Sequence, residues 1–340
     1  MMKYNVGMYG GSFDPLHLGH INAIIKGASI CRKFHIFIFY NETNDCIKKE
    51  LKYRWVLNST KHLPNIEIHL IEDESEKEYD EYHWRKDADE IKKIIGEPID
   101  AVICGSDYIN TGIFEALYED SKIIYYDRNE VPISSTAIRG NPLKYWEFIP
   151  KAAKSYFTKK ILIIGSESTG KSTLVENLAS YYNTNFVVEI GRETCDYAGG
   201  EDKVLYEDLL ENLIRQKEEV MKGIKLSNKL LFVDTDALTT NFFAEVLLDD
   251  LNQKENIKNL SKLINWSNDW DLVLFLDIKG VPFVQDGTRN EEFKLQREKY
   301  NSLLKKMFDE NNLNYEIIKG NYLERFEQAK TIINEKFELK

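Results

Sequence analysis

Two short stretches hold residues whose types and spacing point to chemistry on phosphates. The first is Gly165-Ser166-Glu167-Ser168-Thr169-Gly170-Lys171-Ser172-Thr173, which fits G-x-x-x-x-G-K-[ST]. Glycines let backbone N–H groups turn inward around phosphate oxygens. The start of a following helix adds partial positive charge. Lys171 then reaches the outer phosphates of ATP, and the Ser172 hydroxyl is placed to ligate Mg2+. A glycine turn with a chance lysine is the plainer alternative. It leaves unexplained the apolar run 161–164 before the loop and the helix-like run 174–182 after it. The second stretch is Gly10-Gly11-Ser12-Phe13-Asp14-Pro15-Leu16-His17-Leu18-Gly19-His20. Its histidines are three apart at the entry of a helix, so they face the same way, beside an N-terminus that favours anions. Phosphate is the natural occupant. A non-catalytic capping pair is the bland reading, and a two-histidine metal site has no obvious third ligand nearby.

Other candidates lie just past apolar strand-like runs. Asp107 follows the run 101–104 and would meet a ribose or base, or cap a helix. Ser134-Ser135-Thr136 supply hydroxyls and N–H groups at a helix start, and Arg139, one turn on, supplies a fork for phosphate. Arg192 and Glu193 follow 186–190. Asp234 ends the run 230–233, where a carboxylate reaches Mg2+. Asp236 is either an acceptor-side base or a helix cap. Arg289, in a polar loop after the run 272–276, would neutralise charge from a lid, unless it is simply a surface arginine.

These residues need a scaffold that presents strand ends. Strand-like runs at 6–9, 34–40, 66–71, 101–104 and 122–126 alternate with helical patterns, one at 53–63 and one carrying Trp84, Ala88, Ile91 and Ile95 on a single face. The second half repeats the theme. Its strands are expected at 161–164, 186–190, 230–233, 272–276 and 315–318, and its helices at 209–224, 296–308 and 322–337. Alternation of this kind means βαβ units. The expected fold is therefore α/β, with two doubly wound parallel-sheet domains at 1–150 and 158–340, joined closely through the basic stretch 151–160.

Composition limits what such a chain does. It has 340 residues, 43% hydrophobic and 30% charged, and a net charge of −11. The acidic balance argues against a broad nucleic-acid surface but not against polyphosphates in local basic pockets. Four scattered cysteines without C-x-x-C read as reduced thiols of a cytoplasmic protein. No 18-residue apolar run suggests a membrane span, and the N-terminus enters a strand at once, leaving no room for a signal peptide.

Gly11-Ser-Phe-Asp-Pro-x-His17-x-Gly-His20, followed by Ser134-Ser-Thr-x-Ile-Arg139, resembles the paired signatures of the nucleotidyltransferase superfamily. The whole chain is similar to the bifunctional nicotinamide-nucleotide adenylyltransferase / ribosylnicotinamide kinase (NadR-like) family. The further matches are the junction Tyr145-Trp-x-Phe-Ile-Pro150, the 165–173 loop, Gly191-Arg192-Glu193, Asp234-Thr-Asp236 and Asp286-Gly-x-Arg289. The resemblance implies two reactions. The C-terminal domain phosphorylates ribosylnicotinamide with ATP, using Lys171, Ser172, Asp234 and Mg2+, with Asp236 and Arg289 on the acceptor and transition-state sides. The N-terminal domain adenylylates the mononucleotide with ATP, giving NAD and pyrophosphate, with His17, His20 and Arg139 stabilising charge. It also implies ATP contacts at Gly11, Ser12, Phe13, Ser134, Ser135 and Thr136, and at Gly165, Glu167, Ser168, Thr169, Gly170 and Thr173. Substrate contacts fall at Asp107, Arg192, Glu193 and Trp84, where stacking on a nicotinamide ring competes with core packing. Phe283 and Gln285 stand where a tryptophan and an aspartate are expected, so the lid contacts are expected to differ. Residue 6 is already in the first strand, so the helix-turn-helix DNA-binding segment of some relatives is not expected. Small molecules are the expected partners, with homo-oligomerisation left open. An adenylyltransferase–kinase fusion of another pathway, such as coenzyme A synthesis, and a nucleotide-binding regulator without turnover are the alternatives.

Overall fold

A computed structural model describes residues 3–73, 81–284 and 294–339. The chain divides into two compact units, up to Lys154 and from Ser155. The boundary falls within a short helix, Lys151–Phe157.

In the first unit β1 (Tyr4–Gly11), β2 (Cys31–Tyr40), β3 (Ile66–Glu72), β4 (Ala101–Gly105) and β5 (Lys122–Tyr126) form one parallel sheet in the order β3-β2-β1-β4-β5. Phe34, Ile36, Phe37 and Ile38 are fully buried on both faces of β2, as a parallel sheet covered by helices requires. Helix α1 (Leu18–Ile30) leaves β1, α2 (Lys49–Thr60) leaves β2, and α3 (Glu81–Ile95) lies between β3 and β4. Ala88, Ile91 and Ile95 of α3 pack with Met8, Phe37 and Val102, and Trp84 rests against the same cluster. The strand order reverses between β1 and β4. In open α/β sheets that reversal opens a crevice at the carboxyl ends of the strands.

The second unit repeats the logic. Strands β6 (Lys159–Ile164), β7 (Phe186–Val187), β8 (Leu230–Asp234), β9 (Leu272–Leu276) and β10 (Glu316–Ile318) pair in parallel in the order β10-β9-β6-β8-β7. Ile161 to Ile164, Leu231 to Val233 and Leu274 to Leu276 are essentially without exposure. The sequence expected a five-residue strand at 186–190. Only Phe186 and Val187 pair, with Phe232 and Val233. The physical reason is the sheet edge: Phe186 and Val188 are 40% and 44% exposed, so little burial holds the strand extended. The chain turns at Glu189 into a helix, Ile190–Ala198, that carries Gly191, Arg192 and Glu193. Those three residues were expected just past the strand, and they lie in the first turn of this helix.

Candidate active sites

In the first unit, the turn after β1 delivers His17 to the N-cap of α1. His17 Nδ1 accepts from His20 N at 3.4 Å, and His20 Nδ1 accepts from His17 N at 3.3 Å. The rings stack with centroids 3.6 Å apart. The capping alternative is thus real, and it serves the chemistry. Each Nδ1 is committed as an acceptor, so the single proton of a neutral imidazole sits on Nε2. Neutral rings are what the site enforces. Burial, aided by the nearby Arg128 charge, lowers His17 to about 4, and burial with His17 and Arg128 holds His20 well below the usual range. Two N–H donors therefore remain for an anion. Gly19 lies close to this pair: a Cβ there would be 3.0 Å from the His17 ring, which would have to shift to make room.

Both histidines line a cavity of about 420 Å3 at the carboxyl ends of β1, β2, β4 and β5, together with Gly11, Ser12, Ser134, Ser135 and Thr136. Ser134 caps the helix Ser135–Gly140 by accepting from Ala137 N at 3.1 Å, and Ser135 Oγ donates to Pro15 O at 3.0 Å, joining the two sequence motifs. Phe13 is fully buried and braces the His20 ring edge-on at 4.9 Å rather than facing the cavity. The Arg139 guanidinium donates to the Asp14 carbonyl and lies 3.4 Å from its carboxylate, outside the cavity lining. Trp84 lines the far wall with Tyr108 and Phe114, three rings meeting edge-to-face at 5.2 to 5.8 Å. Core packing and a flat aromatic wall are both realised there.

Asp107 neither caps a helix nor lines the cavity. It sits in a short 3-10 turn and holds Arg128 Nε at 2.7 Å. Arg128 itself lines the cavity. Sequence reasoning missed it, although its place just past β5 is the kind of position where polar residues meet ligands.

In the second unit, Ile164 hands over to a loop whose backbone runs through φ of +151° at Gly165, +57° at Ser168 and +82° at Gly170. A Cβ on Gly165 would lie 2.7 Å from the Leu276 carbonyl, so this position tolerates glycine alone. Lys171 opens helix Lys171–Tyr181, and its Nζ lies back across the loop, 3.3 Å from Ser166 O. The loop carbonyls are gripped from behind. Arg325, 1% exposed, donates to Thr169 O and Asp277 O at 2.6 Å, to Gly320 O at 2.7 Å and to Lys279 O at 2.9 Å. Arg297 donates to Ser168 O at 3.1 Å and Val281 O at 3.0 Å. With carbonyls drawn outward, the loop N–H groups are free to face a ligand. Arg325→Met leaves four carbonyls short of a donor. It is expected to destabilise the second unit by roughly 3 kcal/mol or more, read by urea unfolding.

Asp234 ends β8 with 1% exposure. Thr235 Oγ1 donates to its Oδ1 at 3.1 Å, while Oδ2 is buried with no hydrogen-bond partner. A buried carboxylate oxygen left so fits a cation, and carboxylate and hydroxyl oxygens are the kind of donors that Mg2+ takes. Asp236 caps helix Ala237–Leu247 through Oδ1, which accepts from Thr239 N at 3.1 Å and Thr239 Oγ1 at 3.0 Å. Its Oδ2 has no partner, and the residue lines the cavity, so the cap leaves one carboxylate oxygen uncommitted. Burial pushes its carboxyl up to about 6. Arg192 lines the same cavity with Ser166, Glu167, Ser168 and Lys171. Glu193 does not: it points away and pairs with Arg215 at 2.6 Å. Gln216 was missed by sequence reasoning. Its side chain accepts from Ile190 N at 3.1 Å and donates to Asp234 O at 3.3 Å, tying two ligand-facing segments together. The signal was a polar residue on the buried face of helix Tyr206–Leu226. Arg289, Gln285 and Asp286 lie outside the described residues. Phe283 packs under Arg297, and Val284 N donates to Ser168 Oγ at 2.6 Å, so the chain entering that segment is tied to the phosphate loop.

The fold and the two cavities define a class: a nucleotidyltransferase-type domain followed by a phosphate-loop domain of the kinase kind. A cytidylyltransferase-like family model matches residues 8–141, and an AAA domain model matches residues 160–325. The chain is 29% identical to the trifunctional NAD biosynthesis/regulator protein NadR of Escherichia coli (strain K12), over 98% of this chain and 83% of that protein. It is 29% identical to the NadR of Salmonella typhimurium, over 97% and 84%. A phosphopantetheine adenylyltransferase of Streptococcus gordonii is 34% identical, but over only 20% of this chain and 42% of its own. Two solved structures share the fold along the full length: a NadR protein in complex with NR (TM-score 0.83, 22% identity, 99% of this chain and 97% of that one) and a NadR protein in complex with NAD and AMP-PNP (0.82, 22%, 100% and 98%). The chain is thus similar to NadR proteins over nearly its whole length.

Proposed function

We propose that the chain makes NAD in two ATP-dependent steps, as a ribosylnicotinamide kinase and a nicotinamide-nucleotide adenylyltransferase. One observation carries this reading: a single chain, similar to NadR proteins over nearly its whole length, holds two cavities, one lined by the His17–His20 pair and one by the glycine loop with Lys171. In the second unit the ribose 5′-hydroxyl attacks the γ-phosphorus of ATP, its proton passes to Asp236, and ADP leaves. Lys171 and the loop N–H groups follow the charge on the transferring group. Mg2+, held by Ser172 and Asp234, supplies charge neutralisation on the phosphates when bound. Arg192 fits a role in placing the acceptor, and Arg289 a role in covering the phosphoryl group. In the first unit a phosphate oxygen of the mononucleotide attacks the α-phosphorus of a second ATP, and pyrophosphate leaves. His17 and His20 donate from Nε2 to the phosphate oxygens, Arg128 adds fixed positive charge, and the Trp84 wall receives the flat pyridine ring. No covalent intermediate is required, so positioning and electrostatics supply the rate.

The short phosphopantetheine adenylyltransferase match favours no coenzyme A reading, because it spans a fifth of the chain. The direct test supplies nicotinamide mononucleotide and Mg-ATP and measures NAD and pyrophosphate, which should appear one to one. Turnover of 4′-phosphopantetheine in place of the mononucleotide would overturn the assignment. A pH profile tests the kinase base. Since the Asp236 carboxyl titrates near 6, phosphoryl transfer should fall as pH drops through about 6. Asp236→Asn should abolish that limb and slow turnover roughly 10²-fold or more.

A further inference from the structure

We propose that His35, His69 and Glu67 form a divalent transition-metal site in the first unit, separate from both active sites. These residues lie on neighbouring strands, with His35 opposite Glu67 and Phe37 opposite His69 in the β2–β3 register. Residues two apart on a strand share a face, so all three side chains project to the same side of the sheet. His35 Nδ1 is 2.9 Å from His69 Nε2 and 3.7 Å from Glu67 Oε2. One ligand atom from each of the three lies within 4.8 Å of the other two. Among the described residues this is the one group of three or more histidine, cysteine or acidic side chains so converged.

The donor set is two imidazole nitrogens and one carboxylate oxygen. That set suits zinc and its first-row neighbours, and suits Mg2+ poorly. Two strand-borne histidines and a short strand offset bring the nitrogens to a spacing close to that of adjacent ligands around a tetrahedral ion. At present one shared proton holds His35 Nδ1 and His69 Nε2 together, while His35 Nε2, which is not a ligand atom of the trio, is buried without a partner. An ion in place of that proton uses both nitrogens, with His35 protonated on Nε2 and His69 on Nδ1, and no net charge is taken from either ring. His35 is 2% exposed and so is held rigidly, whereas the Glu67 side chain is 52% exposed and gives an ion a way in from solvent. Because β3 is the edge strand of the sheet, the ion would pin that edge to β2. Phe39, which lines the ATP cavity, is four residues further along β2, roughly 13 Å away by strand geometry.

Zinc alone is the probe, titrated into the full chain in Mg2+-free buffer against a chromogenic chelator, with long-range ¹H–¹⁵N NMR of the imidazoles in parallel. One equivalent should bind, moving the His35 and His69 ring nitrogens and leaving those of His17 and His20 in place. His69→Gln should weaken binding about 100-fold or more, and Glu67→Gln about tenfold. Absence of stoichiometric binding would leave the trio a hydrogen-bonded histidine pair and overturn the proposal. So would zinc affinity unchanged in His69→Gln, or shifts confined to the His17–His20 pair.

Discussion

Lys171→Ala should remove phosphorylation of ribosylnicotinamide by at least about 10³-fold while leaving adenylylation of nicotinamide mononucleotide unchanged. The asymmetry follows from the architecture. Lys171 opens the helix behind the 165–173 loop and belongs to the unit that begins at Ser155. The residue lines the cavity that also holds Asp236 and Arg192. Its ammonium is the positively charged side chain of that loop and rests 3.3 Å from Ser166 O. Loss of the charge leaves the loop itself intact, since Arg297 and Arg325 hold its carbonyls from the other side. Separate assays of the two half-reactions check the result. A parallel loss of adenylylation would mean that the two cavities do not act independently.

The mirror-image substitution, His20→Ala, should lower adenylylation roughly 10²- to 10³-fold with little change in phosphoryl transfer. The His20 ring stacks on His17 and meets Phe13 edge-on while lining the cavity. The variant loses an Nε2–H donor and also the acceptor for His17 N. His20→Gln offers a finer reading, because at this third helical position the amide oxygen can still accept from His17 N while the amide NH2 donates to phosphate. It should recover part of the lost activity. The kcat term is the one to follow, since these donors act on charge that builds as pyrophosphate departs.

Much of this was legible in the chain. The glycine loop with its lysine, the histidine pair and the serine-threonine helix start announced two phosphate sites, because phosphate binding demands backbone N–H groups, and backbone demands particular residues at particular positions. Strand and helix alternation gave both parallel sheets. What stayed hidden depended on tertiary neighbours. Asp107 has a carboxylate at a strand end, but only the fold shows it spent on Arg128. Arg139 reads as a phosphate fork, yet the chain folds Asp14 against it. Glu193 was expected just past a five-residue strand, but the exposed sheet edge holds only two residues extended, and Glu193 lies on a helix where it pairs with Arg215. Arg325 carries no local signal at all; it is 156 residues from the Thr169 carbonyl it holds. Most residues that line the two cavities could be picked out by type and spacing, Arg128 excepted, whereas residues that hold other residues, such as Gln216 and Arg325, could not.

The most direct measurement starts the purified chain on ribosylnicotinamide with Mg-ATP and follows all products together. Nicotinamide mononucleotide and ADP should appear first, then NAD and pyrophosphate, ending with two ATP consumed per NAD. Failure to form either the mononucleotide or NAD, while dephospho-coenzyme A is consumed under the same conditions, would contradict the account.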